Sequence, residues 1–298
     1  MSSSYKPALL KAIVRIVRAG AEPAIPLLRI GSQFVKLYWV QTVVFRLRQA
    51  ATIISEPEVV RRIRSAADMN GARTIDVLPP AVRERLDREM ARVLTINVLQ
   101  AFHRSKPASM GCLFEWSPGS EFIIVPNAAM EFVRLNARAL ESIANLWWAR
   151  WLEKVNLLAP LVIEKVERDG AERASLTKYL RVLLQIDEPK CFYCRRALND
   201  GLSTHVDHVI PWSFLLEDPL WDLVLACANC NIAKSDTLPR RDFIDKLAKT
   251  GLRRAKITLP PGFISPLLAR EEIDRYYEAA LSVEWPVGWA PAPNLAEH

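Results

Sequence analysis

Two short cysteine pairs bracket the stretch of this chain where chemistry is most legible. Cys191-Phe-Tyr-Cys194 and Cys227-Ala-Asn-Cys230 stand 32 residues apart. Each C-x-x-C makes a tight knuckle whose two thiolates can point at a common ion, and two knuckles complete a tetrahedral site. Without a secretory leader, such pairs read as metal ligands rather than disulfides. We therefore expect a closed, structural zinc held by Cys191, Cys194, Cys227 and Cys230. A redox C-x-x-C would leave the second pair unexplained. The fifth cysteine, Cys112, stands apart and is expected to be a buried apolar residue.

The intervening loop holds two of the four histidines, in His205-Val-Asp207-His208-Val-Ile-Pro211. The second pair runs into Asn231-Ile-Ala-Lys234-Ser-Asp236. This residue set suits phosphodiester hydrolysis, which needs a base for water, a cation on the scissile phosphate and ligands that leave that cation open to substrate. An imidazole titrates near neutrality, so His208 can be the base. Asp207 and Asn231 offer oxygen ligands, which suit Mg²⁺ or Mn²⁺. Adjacent residues on a strand face opposite ways, so Asp207 and His208 need a bend or strand end to serve one site, with which nearby Gly201 and Pro211 are compatible. Lys234, one helical turn beyond Asn231, could reach a phosphate. His205 could position a phosphate or a water, or simply face solvent.

These residues resemble the HNH, or ββα-metal, endonuclease family in its zinc-knuckle branch. Asp207-His208-Val-Ile-Pro211 matches the family's Asp-His-x-x-Pro element, and Cys227-x-x-Cys230-Asn231-x-x-Lys234 its C-x-x-C-N-x-x-K element. The segment is also similar to the HNH domain of the RNA-guided CRISPR effector nuclease. The resemblance implies His208 as general base, Asp207 and Asn231 as ligands of a catalytic Mg²⁺ or Mn²⁺, and zinc on the four cysteines. One position departs: the family has Asn just before its second strand, where this chain has Asp222. That residue fixes a loop, and Asp can accept the same backbone hydrogen bonds. The resemblance covers Cys191 to Gly251 and says little about the rest. The Tyr5-Lys-Pro-Ala-Leu-Leu10 start is faintly similar to larger bacterial HNH proteins of restriction and phage defence.

The elements that must carry this site are mostly helical. Leu9, Leu10, Ile13, Val14 and Val17 recur at helical spacing, and Gly20 can end that helix. Further helices are expected over 27–38, from Pro80 to about Arg104, over 127–156, from Ala171 to Gln185 and from Pro266 to Ser282. Cys112–Trp116 and Glu121–Val125, joined by Ser117-Pro-Gly-Ser120, read as a β-hairpin. Helices followed by a hairpin could form a winged-helix-like unit or a plain packing domain. Trp147, Trp148 and Trp151 are expected in a core or an interface. The fold class is thus α+β: a helical region, then a ββα-metal domain. The expected divisions are 1–125 (basic helical and hairpin domain), 126–187 (helical connector), 188–251 (nuclease domain) and 252–298 (helix and Pro-containing tail, extended or mobile).

Composition narrows the class. Half of the 298 residues are apolar and the net charge is +7. No apolar run approaches the roughly 20 residues of a membrane helix. With cations scattered from Lys6 to Arg18, the start lacks a signal-peptide core, so the chain reads as cytoplasmic and membrane-free. Eight basic residues face one acid up to Ile54, and seven face two between Arg240 and Lys256. Such runs attract polyanions or form solvated helix faces. The expected partner is nucleic acid, DNA ahead of RNA, with a homodimer or partner subunits docking through the N-terminal region. Two other readings stay open: an effector subunit of a larger defence complex, and a non-catalytic zinc module that binds nucleic acid.

Overall fold

The computed structural model describes residues 4–51, 56–100, 113–170, 172–198, 204–259 and 268–292. Cys112, Gly201, His103, His298 and the expected helix starts and ends at 101–104, 171 and 266 lie outside them. The chain divides into two compact units, Met1–Leu157 with Val162–Ala171, and Leu158–Leu161 with Glu172–His298.

The first unit is helical. Helix α1 (Tyr5–Arg18) buries apolar residues on most of its circumference and ends before Gly20, whose φ of +82° a side chain would disfavour. Strand β1 (Ala24–Pro26) leads into α2 (Leu27–Trp39), which runs on as a wider π-helical turn over Val40–Val44. Helices α3 (Glu58–Asn70) and α4 (Pro80–Val93) follow; α4 starts with Pro80 in its first turn, where a missing N–H costs nothing. Gly31 of α2 lies against the α4 backbone: a Cβ there would stand 2.7 Å from the Asp87 carbonyl oxygen and 2.9 Å from the Ala91 nitrogen.

Strand β2 (Phe122–Ile124) pairs antiparallel with β1, Ile25 opposite Ile123. Among the described residues the expected hairpin shows one bridge, between Glu115 and Ile124, and the strand's main partner precedes α2 in the chain. Ile123 and Val125 are buried, which makes this strand a clasp on the helices rather than a projecting wing. Helix α5 (Asn127–Val155), expected within a connector, is the longest element among this unit's described residues and packs along α1; α6 (Val162–Glu167) follows it. Trp148 is buried, sets its ring 5.0 Å from that of Tyr38 at a tilt of 51° and donates to Gln49 Oε1, whereas Trp147 is half exposed.

Two of the N-terminal cations are spent inside this fold. Lys11 is fully buried and donates to the Val166 carbonyl at 2.7 Å, and Arg15 pairs with Glu141 and Asp169. Burial lowers the ammonium pKa of Lys11 to about 8 and that of Lys165 to about 7.

The second unit is built around a two-stranded antiparallel ribbon, β3 (Thr204–His208) with β4 (Leu223–Cys227). All five residues of β4 are buried, which accounts for its unbroken apolar run. Helix α7 (Thr177–Ile186) packs on the ribbon, the short α8 (Trp212–Leu215) lies in the connection between the strands, and α9 (Ala228–Lys234) continues from β4. Strand β5 (Leu238–Pro239), α10 (Arg241–Arg254), α11 (Arg270–Ser282) and β6 (Val287–Trp289) complete the unit.

Of the tail expected to be extended or mobile, the part as far as β6 is extended and paired. β6 pairs parallel with β5, Trp285 is buried, and the Trp289 ring meets that of Tyr193 edge-on at 5.0 Å. An isolated tail has no reason to order; here two tryptophans provide enough apolar area to hold it. The arginines of the second basic run are paired: Arg240 with Asp242, Arg241 with Asp274 and Glu278, Arg253 and the buried Arg254 with Asp187.

Candidate active site

The first knuckle is shaped by its backbone. The Cys191 amide donates to the Arg196 carbonyl, and Arg195 turns the chain at φ +65° and donates to the Cys191 carbonyl. The Phe192 amide donates to the Leu225 carbonyl, which ties the knuckle to β4. The second knuckle straddles the end of β4 and the start of α9. All four sulfurs lie within 4.8 Å of one another, and all four residues are buried. Cys194 Sγ and Cys227 Sγ are 3.8 Å apart. A tetrahedron with Zn–S bonds of about 2.3 Å has edges of about 3.8 Å, so the donor set fits such an ion. Burial pushes the Cys191 thiol up to about 11 and Cys230 higher still. Four thiolates this close repel unless a cation compensates them, so their electrostatics also call for a metal.

β3 delivers Asp207 and His208 at its end, and the chain bends at residues 209–210. Asp207 is buried. Its Oδ2 accepts the Tyr193 phenol proton at 2.6 Å and pairs with the Lys234 ammonium at 3.2 Å. Lys234 also donates to the His208 carbonyl at 2.6 Å and is 0% exposed. The fold thus places its ammonium inside, on these two acceptors, rather than at the surface where a phosphate would meet it. The cause is packing: one turn past Asn231, α9 turns this side chain under the ribbon.

His205 lies two residues before Asp207 and so presents to the same face of β3. Asn231 Nδ2 lies 2.9 Å from His205 Nδ1, which brings the Asn231 side chain over that face. His208 meets other partners and is 2% exposed. Its Nδ1 lies 2.7 Å from an Arg173 guanidinium nitrogen, and its Nε2 lies 3.1 Å from Asp218 Oδ1, without the alignment of a hydrogen bond. Arginine only donates, so Nδ1 is the acceptor and the neutral ring carries its proton on Nε2, toward Asp218. Burial and then the neighbouring Arg173 charge hold the His208 pKa below its usual value, while the Asp218 charge opposes them. Burial pushes Asp218 up, but His208 and Arg173 outweigh it and hold its carboxyl below the usual range.

Asp222 is fully buried and accepts the Ile210 amide at 2.8 Å, and its own carbonyl accepts the Val209 amide at 3.1 Å. These bonds pin the turn that follows His208. Burial raises the Asp222 pKa well above its ordinary value, which favours the neutral form.

Three residues here escaped the sequence reading. Tyr193 could have been noticed as the polar aromatic inside the first pair. Asp218 and Arg173 carry no local signal, because only the fold brings residues 173, 208 and 218 together.

Residues 191–240 match a family model described as HNH endonuclease. The match spans roughly a sixth of the chain. No curated protein and no solved structure matches significantly. Among the described residues no helix is long and apolar enough to cross a membrane. The match supports a nuclease with nucleic acid as its partner, and the four cysteines could bind a metal ion such as zinc. With its antiparallel strand pair, the helix that follows and the four-cysteine cluster, the segment 191–240 is an HNH endonuclease domain, set in the C-terminal unit of an α+β chain.

Proposed function

We propose that this protein is a metal-dependent endonuclease that hydrolyses phosphodiester bonds in DNA, with His208 as base and Asp207 and Asn231 as ligands of Mg²⁺ or Mn²⁺. Zinc on Cys191, Cys194, Cys227 and Cys230 holds the segment together. The observation that carries the reading is the tethering of Asp207 and His208 to α9. Lys234 spans the carboxylate of one and the carbonyl of the other. The helix that supplies Lys234 also supplies Asn231, on the face of β3 that Asp207 shares.

A divalent cation bound at Asp207 and Asn231 would stabilise charge on the scissile phosphate. The chain's own residues handle the proton. The ring of His208 is neutral, with its proton on Nε2 and its lone pair on Nδ1. It takes a proton from water at Nδ1 as the water oxygen bonds to phosphorus, the ester bond to the leaving sugar oxygen breaks and that oxygen takes a proton from solvent; the Asp218 carboxylate stabilises the resulting imidazolium. Tyr193 and Lys234 orient Asp207. His205 would steady Asn231.

The test is cleavage of supercoiled plasmid and of a matched RNA, with Mg²⁺ or Mn²⁺, by the wild type and His208→Ala. We expect nicking of DNA, reduced at least about a hundredfold in the variant. Equal cleavage by both would remove His208 as base, and cleavage of RNA alone would reverse the substrate.

A further inference from the structure

The base proposed above is closed to solvent. His208 is 2% exposed, and Arg173 occupies the approach to the nitrogen that must meet water. Arg173 itself is 35% exposed in its side chain, so it is the part of this contact that solvent and substrate can reach. It is also loosely partnered for a cation. Its guanidinium lies 5.7 Å from the Trp212 ring centroid, and its Nε is 4.0 Å from Asp218 Oδ1, beyond hydrogen-bond range. Its closest polar contact is a neutral imidazole. Burial lowers its pKa, as expected for a cation whose neighbours do not fully compensate it.

A guanidinium gains more from a phosphate than from an imidazole. A phosphate adds an opposite full charge that a neutral imidazole lacks, and the planar fork fits two phosphate oxygens at once where an imidazole offers one acceptor. Taking the proposed role of His208 as given, we infer that Arg173 is a phosphate-triggered cap: it covers Nδ1 of His208 until a nucleic-acid phosphodiester draws the guanidinium onto itself, which uncovers the base beside the bond to be cut. Residue 173 precedes the segment 191–240, so the cap is supplied from outside the family match.

Two readouts on the full chain test this, in Arg173→Met and Arg173→Lys. The first is carbethoxylation of His208 by diethyl pyrocarbonate, read by peptide mass spectrometry, which separates it from the other histidines. We expect about tenfold faster labelling in Arg173→Met than in the wild type. The second is steady-state plasmid cleavage, where a lost phosphate contact raises KM more than it lowers kcat. We expect KM to rise about tenfold in Arg173→Met and less in Arg173→Lys, which keeps the charge but loses the fork. If Arg173→Met does not fold, the KM of Arg173→Lys carries the test. Unchanged His208 labelling in a folded Arg173→Met overturns the cap. A KM within twofold of wild type, or a fall in kcat alone together with lost stability, overturns the phosphate role. His208→Ala separates the two levels: a fully active His208→Ala removes the base, whereas an inactive one beside an unmoved Arg173→Met removes only the cap.

Discussion

The phenol of Tyr193 donates to the Asp207 carboxylate at 2.6 Å, so a residue between the first two cysteines directly orients a proposed ligand of the catalytic cation. The four-cysteine cluster is thereby coupled to the reacting centre through one side chain as well as through the backbone. Hydrogen bonds to charged groups contribute about 1.5–3 kcal/mol. Tyr193→Phe should destabilise the second unit by about that amount in urea denaturation, with zinc content unchanged. A variant as stable as wild type would mean the bond contributes nothing net.

Lys234 should behave as a buried ion-pair partner. Removing one member of such a pair leaves an uncompensated charge and costs about 3–5 kcal/mol. Lys234→Met should therefore lose that much stability at neutral pH, measured by denaturant titration. A variant that folds normally and merely binds DNA more weakly would restore the phosphate contact its position in α9 suggests.

Stripping the metal should unfold one unit and spare the other. The four sulfurs tie the first knuckle to the junction of β4 and α9, and without a cation burial opposes ionisation of Cys191 and Cys230. A strong chelator, or Cys230→Ser, should abolish the calorimetric transition of the second unit and leave that of the helical unit within a few degrees. Loss of both transitions together would contradict the division into two units.

Gly31 is where α2 and α4 meet backbone to backbone. A methyl group there would stand 2.7 Å from the Asp87 carbonyl oxygen, and backbone cannot swing aside as a side chain can. Gly31→Ala should cost about 1–3 kcal/mol despite alanine's better helix propensity. A stabilised variant would show that the two helices can part.

The helical unit should also gain stability as pH rises. Burial lowers Lys165 to about 7 and Lys11 to about 8, below the usual lysine value. Below pH 7 both lysines are protonated folded and unfolded. Between about 7 and 10 the unfolded chain binds more protons, so stability climbs, by at most about 1.4 kcal/mol per pH unit for each proton. Urea denaturation at pH 6.5, 7.5 and 8.5 should show the rise, and Lys165→Met should flatten it. A profile flat across that range would mean that Lys165 keeps its proton.

Much of this protein is determined by residue type and spacing alone. Thiol pairs at C-x-x-C spacing specify a knuckle, because the ligand chemistry is local. Apolar residues at helical intervals with a glycine beyond them specify α1, and the limits of α2 and α5 fall close to those expected, because a helix closes its own hydrogen bonds. The pairing of β2 with β1 rather than with a full hairpin partner, the ordering of Trp285 and Trp289 and the pairing of Arg15 and Arg241 with distant carboxylates were decided only by tertiary structure. So were the turning of Lys234 into the interior and the bracketing of His208 by Arg173 and Asp218. Each of these depends on groups far apart in the chain. A local window shows that a cation or an imidazole is present, but which distant partner meets it, and on which nitrogen, is fixed by how the elements pack.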